Sequence, residues 1–302
     1  MQLNSLSHDA GMTPVPFIAE VSSNHHQDLS RCLTFIDVSA NIGCRAVKFQ
    51  LFKIRELFSP EILEQKPELR EREQWELPVE FLPHLARRCR ERGIQFSCTP
   101  FYLGAVTELE PYVRFYKIAS YELLWDELLK ACARTKKPVV LSTGMATLAE
   151  VQHAVTVLRG SGCDDLTLLH CVSGYPAAPE DCNLACIRTM RETCSCSVGW
   201  SDHTVNSAVL VRAVHRWGAS MVEFHLDLDR QGEEYQTGHC WLPEEIAPVI
   251  KMLDGGFCAD GSGVKEPSRG ESDERQWRAD PSDGLRPCLH ARMTWNHEVS
   301  TP

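Results

Sequence analysis

Two short apolar stretches of this chain each stop at a histidine. Residues 198–200 lead into Ser201, Asp202 and His203, and residues 219–224 lead into His225. Between them, residues 206–218 carry Ala208, Val209, Val211, Ala213 and Val214 at the spacing of an amphipathic helix. A strand, a helix and a second strand make a βαβ unit. The two strands are therefore expected to lie parallel and adjacent, with their C-terminal ends at one sheet edge. His203 and His225 then stand side by side at the mouth of the sheet. Two imidazoles one strand apart suit a divalent cation. The alternative is that each is a hydrogen-bonded structural histidine. Their shared place at strand ends favours the cation.

The elements that must position this pair recur along the chain. Strands are predicted at residues 15–21, 45–49, 94–98, 115–119, 138–141, 166–171 and 195–198, with an eighth ending at His225. Helices are predicted at 28–40, with Asp28 as a cap, and at 80–92, closed by Gly93. Others are predicted at 102–109, 123–135, 148–159, 183–191, 206–218 and 243–253. The strands read as continuously apolar rather than alternating, as they must when both faces are covered. Eight strand-then-helix units in one chain are the arithmetic of a (β/α)8 TIM barrel, an α/β fold. A doubly wound open sheet is the competing architecture, but it calls for a glycine-rich phosphate loop after the first strand, and none is present. Residues 53–77 form a long polar excursion, of the kind more often a functional flap than a linker.

Active sites of such barrels lie at the C-terminal ends of the strands. Those ends carry Glu20, Lys48 with Gln50, Thr99, Lys117 with Ser120 and Glu122, Ser142, Ser173 with Tyr175, Ser201 with His203, and His225. Two lysines and several hydroxyls converging in one cleft make a phosphate or carboxylate site. Each lysine alone would pass for a solvated strand-edge charge. Both, however, sit in apolar strands (AVKFQ and YKIAS), where an ammonium needs an anionic partner. Glu20 follows Phe17-Ile18-Ala19 and needs a partner for the same reason.

Composition excludes several classes. The chain has 302 residues, 43% apolar and 24% charged, as in an ordinary globular protein. A net charge of −10 and the absence of a basic block argue against nucleic-acid binding, and an anionic substrate would have to be held by a few placed lysines. No apolar run approaches the ~18 residues a membrane helix needs. The polar first residues lack the layout of a signal peptide, so a cytoplasmic protein is expected. The fourteen cysteines fall mostly within apolar elements (Cys98, Cys132, Cys171, Cys186) and read as reduced core residues. Cys194 and Cys196 have no second pair to make a structural zinc site. Residues 1–14 are expected as a flexible leader, 15–254 as the barrel and 255–302 as an irregular extension.

Eight motifs in order, IAEVSSNHHQDL, AVKFQLFK, FSCTPF, YKIASYEL, LSTGMAT, LLHCVSGYP, GWSDHT and EFHLDLD, resemble the N-acetylneuraminate (sialic acid) synthase family over residues 15–245. The resemblance implies a (β/α)8 barrel that condenses phosphoenolpyruvate with an N-acylated hexosamine such as N-acetylmannosamine, using Mn2+ or alternatively Mg2+ or Co2+. It implies His203 and His225 as metal ligands. It places Lys48, Thr99, Lys117, Ser120, Ser142 and Ser201 at phosphoenolpyruvate, and Glu20, Gln50, Glu122 and Tyr175 near the sugar and the reacting carbons. Glu20 is the candidate for proton handling, and a homodimer is expected by the same analogy.

The chain departs from that pattern in three places. Ser173 stands where the family usually has Asn. The usual Gly-Pro-Asp-His sugar loop is replaced by residues 232–241 (GEEYQTGHCW). Residues 255–302 lack the periodic core of the antifreeze-like domain that many members carry. In the changed loop, Glu233, Glu234 and His239 are placed to reach groups of a different acylated sugar, or His239 to add a metal ligand; the other reading is an exposed polar loop. Two rival classes remain: a Schiff-base aldolase using Lys117 or Lys48, and an inactive scaffold barrel.

Overall fold

Eight parallel strands pair in chain order and close into a ring. They are β1 (Phe17–Glu20), β2 (Ala46–Leu51), β3 (Gln95–Pro100), β4 (Phe115–Ile118), β5 (Val139–Ser142), β6 (Leu166–Cys171), β7 (Ser197–Asp202) and β8 (Val222–Leu226). Closure comes from β8 returning to β1, with Phe17 opposite Val222 and Glu20 opposite His225. The arrangement is the (β/α)8 barrel expected from the strand count. This computed structural model describes residues 14–288 and 290–292; the expected leader lies almost wholly outside them.

Side chains alternate across each strand, and the two faces do different work. Phe17, Ala19, Val47, Phe49, Tyr116, Ile118, Leu141, Leu168 and Phe224 point outward into the main core under the helices. Ile18, Ala46, Phe115, Val140, Leu169 and Met221 form a separate apolar cluster. These six are an inner layer contributed by alternate positions of the ring. Two residues further along the same strands come Glu20, Lys48, Lys117, Ser142, Cys171 and Glu223. The period of two thus stacks a polar layer directly above an apolar plug. The strands are apolar on both faces only at the bottom of the barrel.

Helices return the chain between strands. Asp28 caps α1 (Leu29–Asn41) by accepting from Ser30 N at 2.7 Å. The excursion after β2 is not a bare loop: it folds into α2 (Ile54–Leu57), α3 (Pro60–Gln65) and a 3-10 stretch at Pro67–Trp75. Phe52, Ile54 and Leu63 give it a small core of its own. Next come α4 (Leu82–Arg92), α5 (Leu103–Leu109), α6 (Asp126–Arg134) and α7 (Leu148–Gly160), followed by α8 (Cys186–Cys194). Gly93 closes α4 at φ +71°, where a side chain would be strained. The single helix predicted over 206–218 is instead α9 (Ser207–Val211) followed by a π turn at Arg212–Arg216. One residue of slack barely alters the apolar spacing, which is why periodicity does not reveal it.

β7 runs further than its apolar residues suggested, because Trp200 packs outward while Ser201 points in and Asp202 is satisfied locally. Buried Asp202 accepts from Trp200 Nε1 at 3.1 Å, Trp241 Nε1 at 3.0 Å and Thr204 Oγ1 at 2.7 Å. Gly199 occupies the plug layer on this strand. A Cβ there would lie 2.7 Å from Leu169 Cδ2 and closer still to the Met221 carbonyl. Gly199→Ala is therefore expected to cost about 1–3 kcal/mol through overpacking. Urea unfolding with an unchanged m-value is the check.

A ninth, two-residue strand, β9 (Cys240–Trp241), was not anticipated. It pairs parallel with β8, setting Cys240 opposite His225. α10 (Pro243–Phe257) follows. Residues 259–302 form a separate unit, whose described part consists of short 3-10 turns at Arg269–Glu271 and Glu274–Trp277 and an Asp283–Arg292 ion pair at 2.7 Å. Among the described residues no helix is long and apolar enough to cross a membrane. All fourteen cysteines are free thiols.

Candidate active site

The floor of the barrel mouth is a closed charge network. Lys48 pairs with Glu20 and lies 3.9 Å from Glu223, while Lys117 lies 3.2 Å from the other Glu223 oxygen. Lys48 Nζ also donates to Thr99 Oγ1 at 3.3 Å, and Ser201 Oγ donates to Glu223 at 3.2 Å. Gln50 Nε2 reaches Glu20 at 2.8 Å and Ser22 Oγ at 3.0 Å. All four charged groups are at most 3% exposed. Register explains the assembly: Glu20 lies opposite Lys48 on β2, and Ser201 opposite Glu223 on β8.

Burial in this cluster shifts the titrations. Burial lowers Lys48 to about 7, Glu223 pulling it back up and Lys117 pushing it further down. Burial alone would raise Glu223, but Lys117 and Lys48 outweigh it and hold the carboxyl at about 2. At neutral pH Glu223 is therefore an anion, set against the Lys117 and Lys48 side chains.

The rim is imidazole. His203 and His225 have ring centroids 5.3 Å apart, as the strand-end argument requires. Tyr175 packs over His203 at 4.3 Å and is 41% exposed, so its ring roofs the pair from the solvent side. His203 Nδ1 bonds the Val172 carbonyl at 2.7 Å, which fixes the tautomer and leaves Nε2 with its lone pair. Burial, then His225, lowers His203 to about 3. Burial also lowers His225, with Glu234 opposing it. Neutral imidazoles with a fixed outer hydrogen bond are the donor form a divalent cation takes, so these residues fit one.

The changed loop is not an exposed segment. It folds down onto the rim, putting His239 within 4.7 Å of His225 and 6.3 Å of His203 between ring centroids. Glu234 Oε2 lies 2.8 Å from His225 Nδ1 and 3.4 Å from His239 Nε2, and its other oxygen accepts from Ser22. Burial would raise the Glu234 carboxyl, but His225 and the bonds from His225, His239 and Ser22 hold it far below the usual range. Glu233, by contrast, is exposed. His225, Glu234, His239 and Cys240 each offer a ligand atom within 4.8 Å of all the others.

The structure thus brings Glu20, Lys48, Gln50, Thr99, Lys117 and Ser201 into one network and His203, His225 and Tyr175 into a second layer above it. Ser120, Glu122 and Ser142 lie at the ends of β4 and β5, with no hydrogen bond to the network among the described residues. Ser120 Oγ accepts from Gly144 N at 3.0 Å and meets Cys171 Sγ at 3.3 Å. Burial raises Glu122 to about 7, with Lys117 the chief opposing influence. Sequence reasoning missed Glu223. Its signal was present, since it stands two residues before His225 and so shares the inner face of β8. Asn24 and Cys240 were also missed. Asn24 holds the loop, and the Cys240 thiol lies beside His225.

Residues 35–265 match the NeuB family. The chain is 31% identical to an N,N'-diacetyllegionaminic acid synthase of Campylobacter jejuni, over 84% of this chain and 80% of that one. It is 30% identical to an N-acetylneuraminate-9-phosphate synthase of Drosophila melanogaster, over 84% and 71%. Among solved structures it is similar to an N-acetylneuraminic acid (sialic acid) synthetase from Leptospira borgpetersenii in complex with citrate. That likeness has a TM-score of 0.77 at 31% identity, over 87% of this chain and 91% of that one.

Proposed function

Since the chain belongs to the NeuB family, we propose that it condenses phosphoenolpyruvate with an N-acylated hexosamine, N-acetylmannosamine or a relative. The product is a nonulosonic acid, and phosphate leaves by C–O cleavage. One observation carries the reading: two buried lysines, paired with Glu20 and Glu223, lie one layer beneath a pair of neutral imidazoles. An anion cradle and a cation site are then stacked within reach of one substrate pair.

In this reading Lys48, Lys117, Thr99, Ser120, Ser142 and Ser201 hold the phosphate and carboxylate of phosphoenolpyruvate and aim its C3 at the sugar aldehyde. A divalent cation held by His203 and His225, Mn2+ by the resemblance, would polarise the aldehyde oxygen. The new bond joins C3 to the aldehyde carbon at the expense of the C2–C3 and C=O π bonds, so the aldehyde oxygen becomes a hydroxyl by taking a proton and C2 is left positive. Water adds to C2 and gives up a proton, for which Glu20 is placed once its ion pair with Lys48 loosens. The C2–O bond to phosphate then breaks. Glu122, titrating near neutrality, both donates to and accepts from a sugar hydroxyl, and Gln50 and Tyr175 flank the same space.

The test is phosphate release from phosphoenolpyruvate and Mn2+ across a panel of N-acylated hexosamines. Release is expected only with both substrates present. No release with any acceptor, or covalent trapping of a keto substrate on Lys48 by borohydride, would overturn the reading. The second outcome belongs to a Schiff-base aldolase, which the lowered Lys48 titration alone would favour.

A pH dependence follows. Lys48 binds the anion as an ammonium group and loses its proton as pH rises through about 7 in the free protein. The kcat/KM for phosphoenolpyruvate should therefore fall above that pH, while kcat, which reports the bound state, holds to higher pH. A pH profile of both constants checks this.

A further inference from the structure

We propose that His225, Glu234, His239 and Cys240 form a four-donor cation site, in which the segment after β8 supplies three of the four ligands. This site selects a borderline metal such as Zn2+ or Co2+ over Mn2+. The inference deepens the reading above and rests on it only for a cation at the barrel rim, not for the acceptor or the reaction.

The donors come from three separate pieces of chain: His225 from β8, Glu234 and His239 from the loop, and Cys240 from β9. Their ligand atoms all fall within 4.8 Å of one another. His225, His239 and Cys240 are each no more than 8% exposed. A tetrahedral centre with bonds of about 2.0–2.3 Å keeps its donors roughly 3.3–3.8 Å apart, a spacing that small side-chain rotations would reach. The β8–β9 pairing makes Cys240 the register partner of His225, so the thiol is placed by the sheet rather than by chance.

The surroundings are built to hold these side chains. Asn24 Nδ2 donates to the Leu226 carbonyl at 3.0 Å and to Cys240 Sγ at 3.6 Å, while its Oδ1 accepts from Glu234 N at 2.9 Å. One buried amide therefore ties β8, the loop and the thiol together. Thr237 Oγ1 lies 2.5 Å from His239 Nδ1, which turns the other ring nitrogen toward Glu234. Gly232 lets the loop pass over this clamp, since a Cβ there would come within 2.5 Å of Asn24 Cγ. Outer hydrogen bonds to ligating groups are the usual support of a metal centre.

The donor set decides the metal. Two imidazole nitrogens, one carboxylate oxygen and one thiolate sulfur suit Zn2+, Co2+ or Fe2+, whereas Mn2+ and Mg2+ favour oxygen-rich shells. A site of His203 and His225 alone, completed by substrate and water, would follow the same order more weakly and would give no thiolate band.

The full-length chain, stripped with a chelator, is titrated with Co2+ and with Mn2+. Near-ultraviolet absorption is recorded, and affinity is measured by chelator competition. Co2+ should give a thiolate-to-metal charge-transfer band that Cys240→Ser abolishes, and should bind at least about 100-fold more tightly than Mn2+. His239→Ala should weaken Co2+ by more than the ~100-fold that loss of an outer-shell partner can cost. Circular dichroism verifies that the variants are folded. If Cys240→Ser does not fold, protection of Cys240 from alkylation by bound Co2+ in the unmutated chain replaces it. Absence of both band and protection, wild-type affinity in His239→Ala, or equal affinity for the two metals each overturns the proposal. Phosphate release is scored separately: a chain that shows the band but releases no phosphate with any acceptor sinks the condensation and leaves the metal site standing.

Discussion

Replacing His225 with alanine is expected to reduce phosphate release by about 10^3-fold or more, the equivalent of the several kcal/mol a Lewis-acid centre supplies. This is the largest effect anticipated for any single side chain, for a geometric reason. His225 belongs to both candidate ligand sets, 5.3 Å from His203 on one side and 4.7 Å from His239 on the other. No other residue is shared. The fold should tolerate the change, because the ring opens onto the mouth rather than into the outer core. Circular dichroism and thermal unfolding should therefore match the unmutated chain to within a few degrees. Full turnover in a metal-loaded His225→Ala protein would remove the rim from the mechanism.

Glu223→Gln should show its main effect in stability. Glu223 is 3% exposed and lies against both Lys117 and Lys48. Neutralising it takes from Lys117 the carboxylate at 3.2 Å and leaves Lys48 to its pair with Glu20, and breaking a buried pair in this way costs about 3–5 kcal/mol. Denaturant unfolding at neutral pH reads this directly. The pH dependence has a definite sign. The Glu223 carboxyl is held at about 2 in the folded chain, below its ordinary 4.5. Its stabilising contribution is complete above the ordinary value and disappears as pH falls through about 2, so the gap between the two proteins should close on acidification. Phosphoenolpyruvate or inorganic phosphate should stabilise the variant more than the parent, by replacing the missing anion. Equal stability of the two proteins at neutral pH would mean the lysines do not depend on Glu223.

The barrel was legible because its signal is repetitive. Each of eight buried strands, from Phe17–Glu20 to Val222–Leu226, is bounded by an amphipathic helix, and small boundary errors do not change the count. The floor was legible for a related reason, since Lys48 and Lys117 interrupt apolar strands and announce an anion. Glu223 escaped notice because it was read with its apolar neighbours Val222 and Phe224, although the period of two puts it on the opposite face. For the loop the sequence left two readings open, a segment reaching into the mouth with His239 as an added ligand or an exposed polar loop. Whether residues 232–241 point outward or fold into the mouth depends on contacts with Asn24, Ser22 and Asp202, which are distant in sequence. The π turn after α9 lies below the resolution of any periodicity.

The two ends of that loop are tied both to the barrel and to each other. At its start, Asp227 is bonded by Arg31 at 3.1 Å, and its backbone N–H meets the Trp241 carbonyl at 2.9 Å. At its finish, the Trp241 indole is pinned to Asp202. Replacing what lies between those two rivets is expected to leave the eight-stranded frame folded, which circular dichroism of the exchanged chain checks. Grafting it onto a relative should carry over its ligand preferences and leave the lysine floor of that relative unchanged.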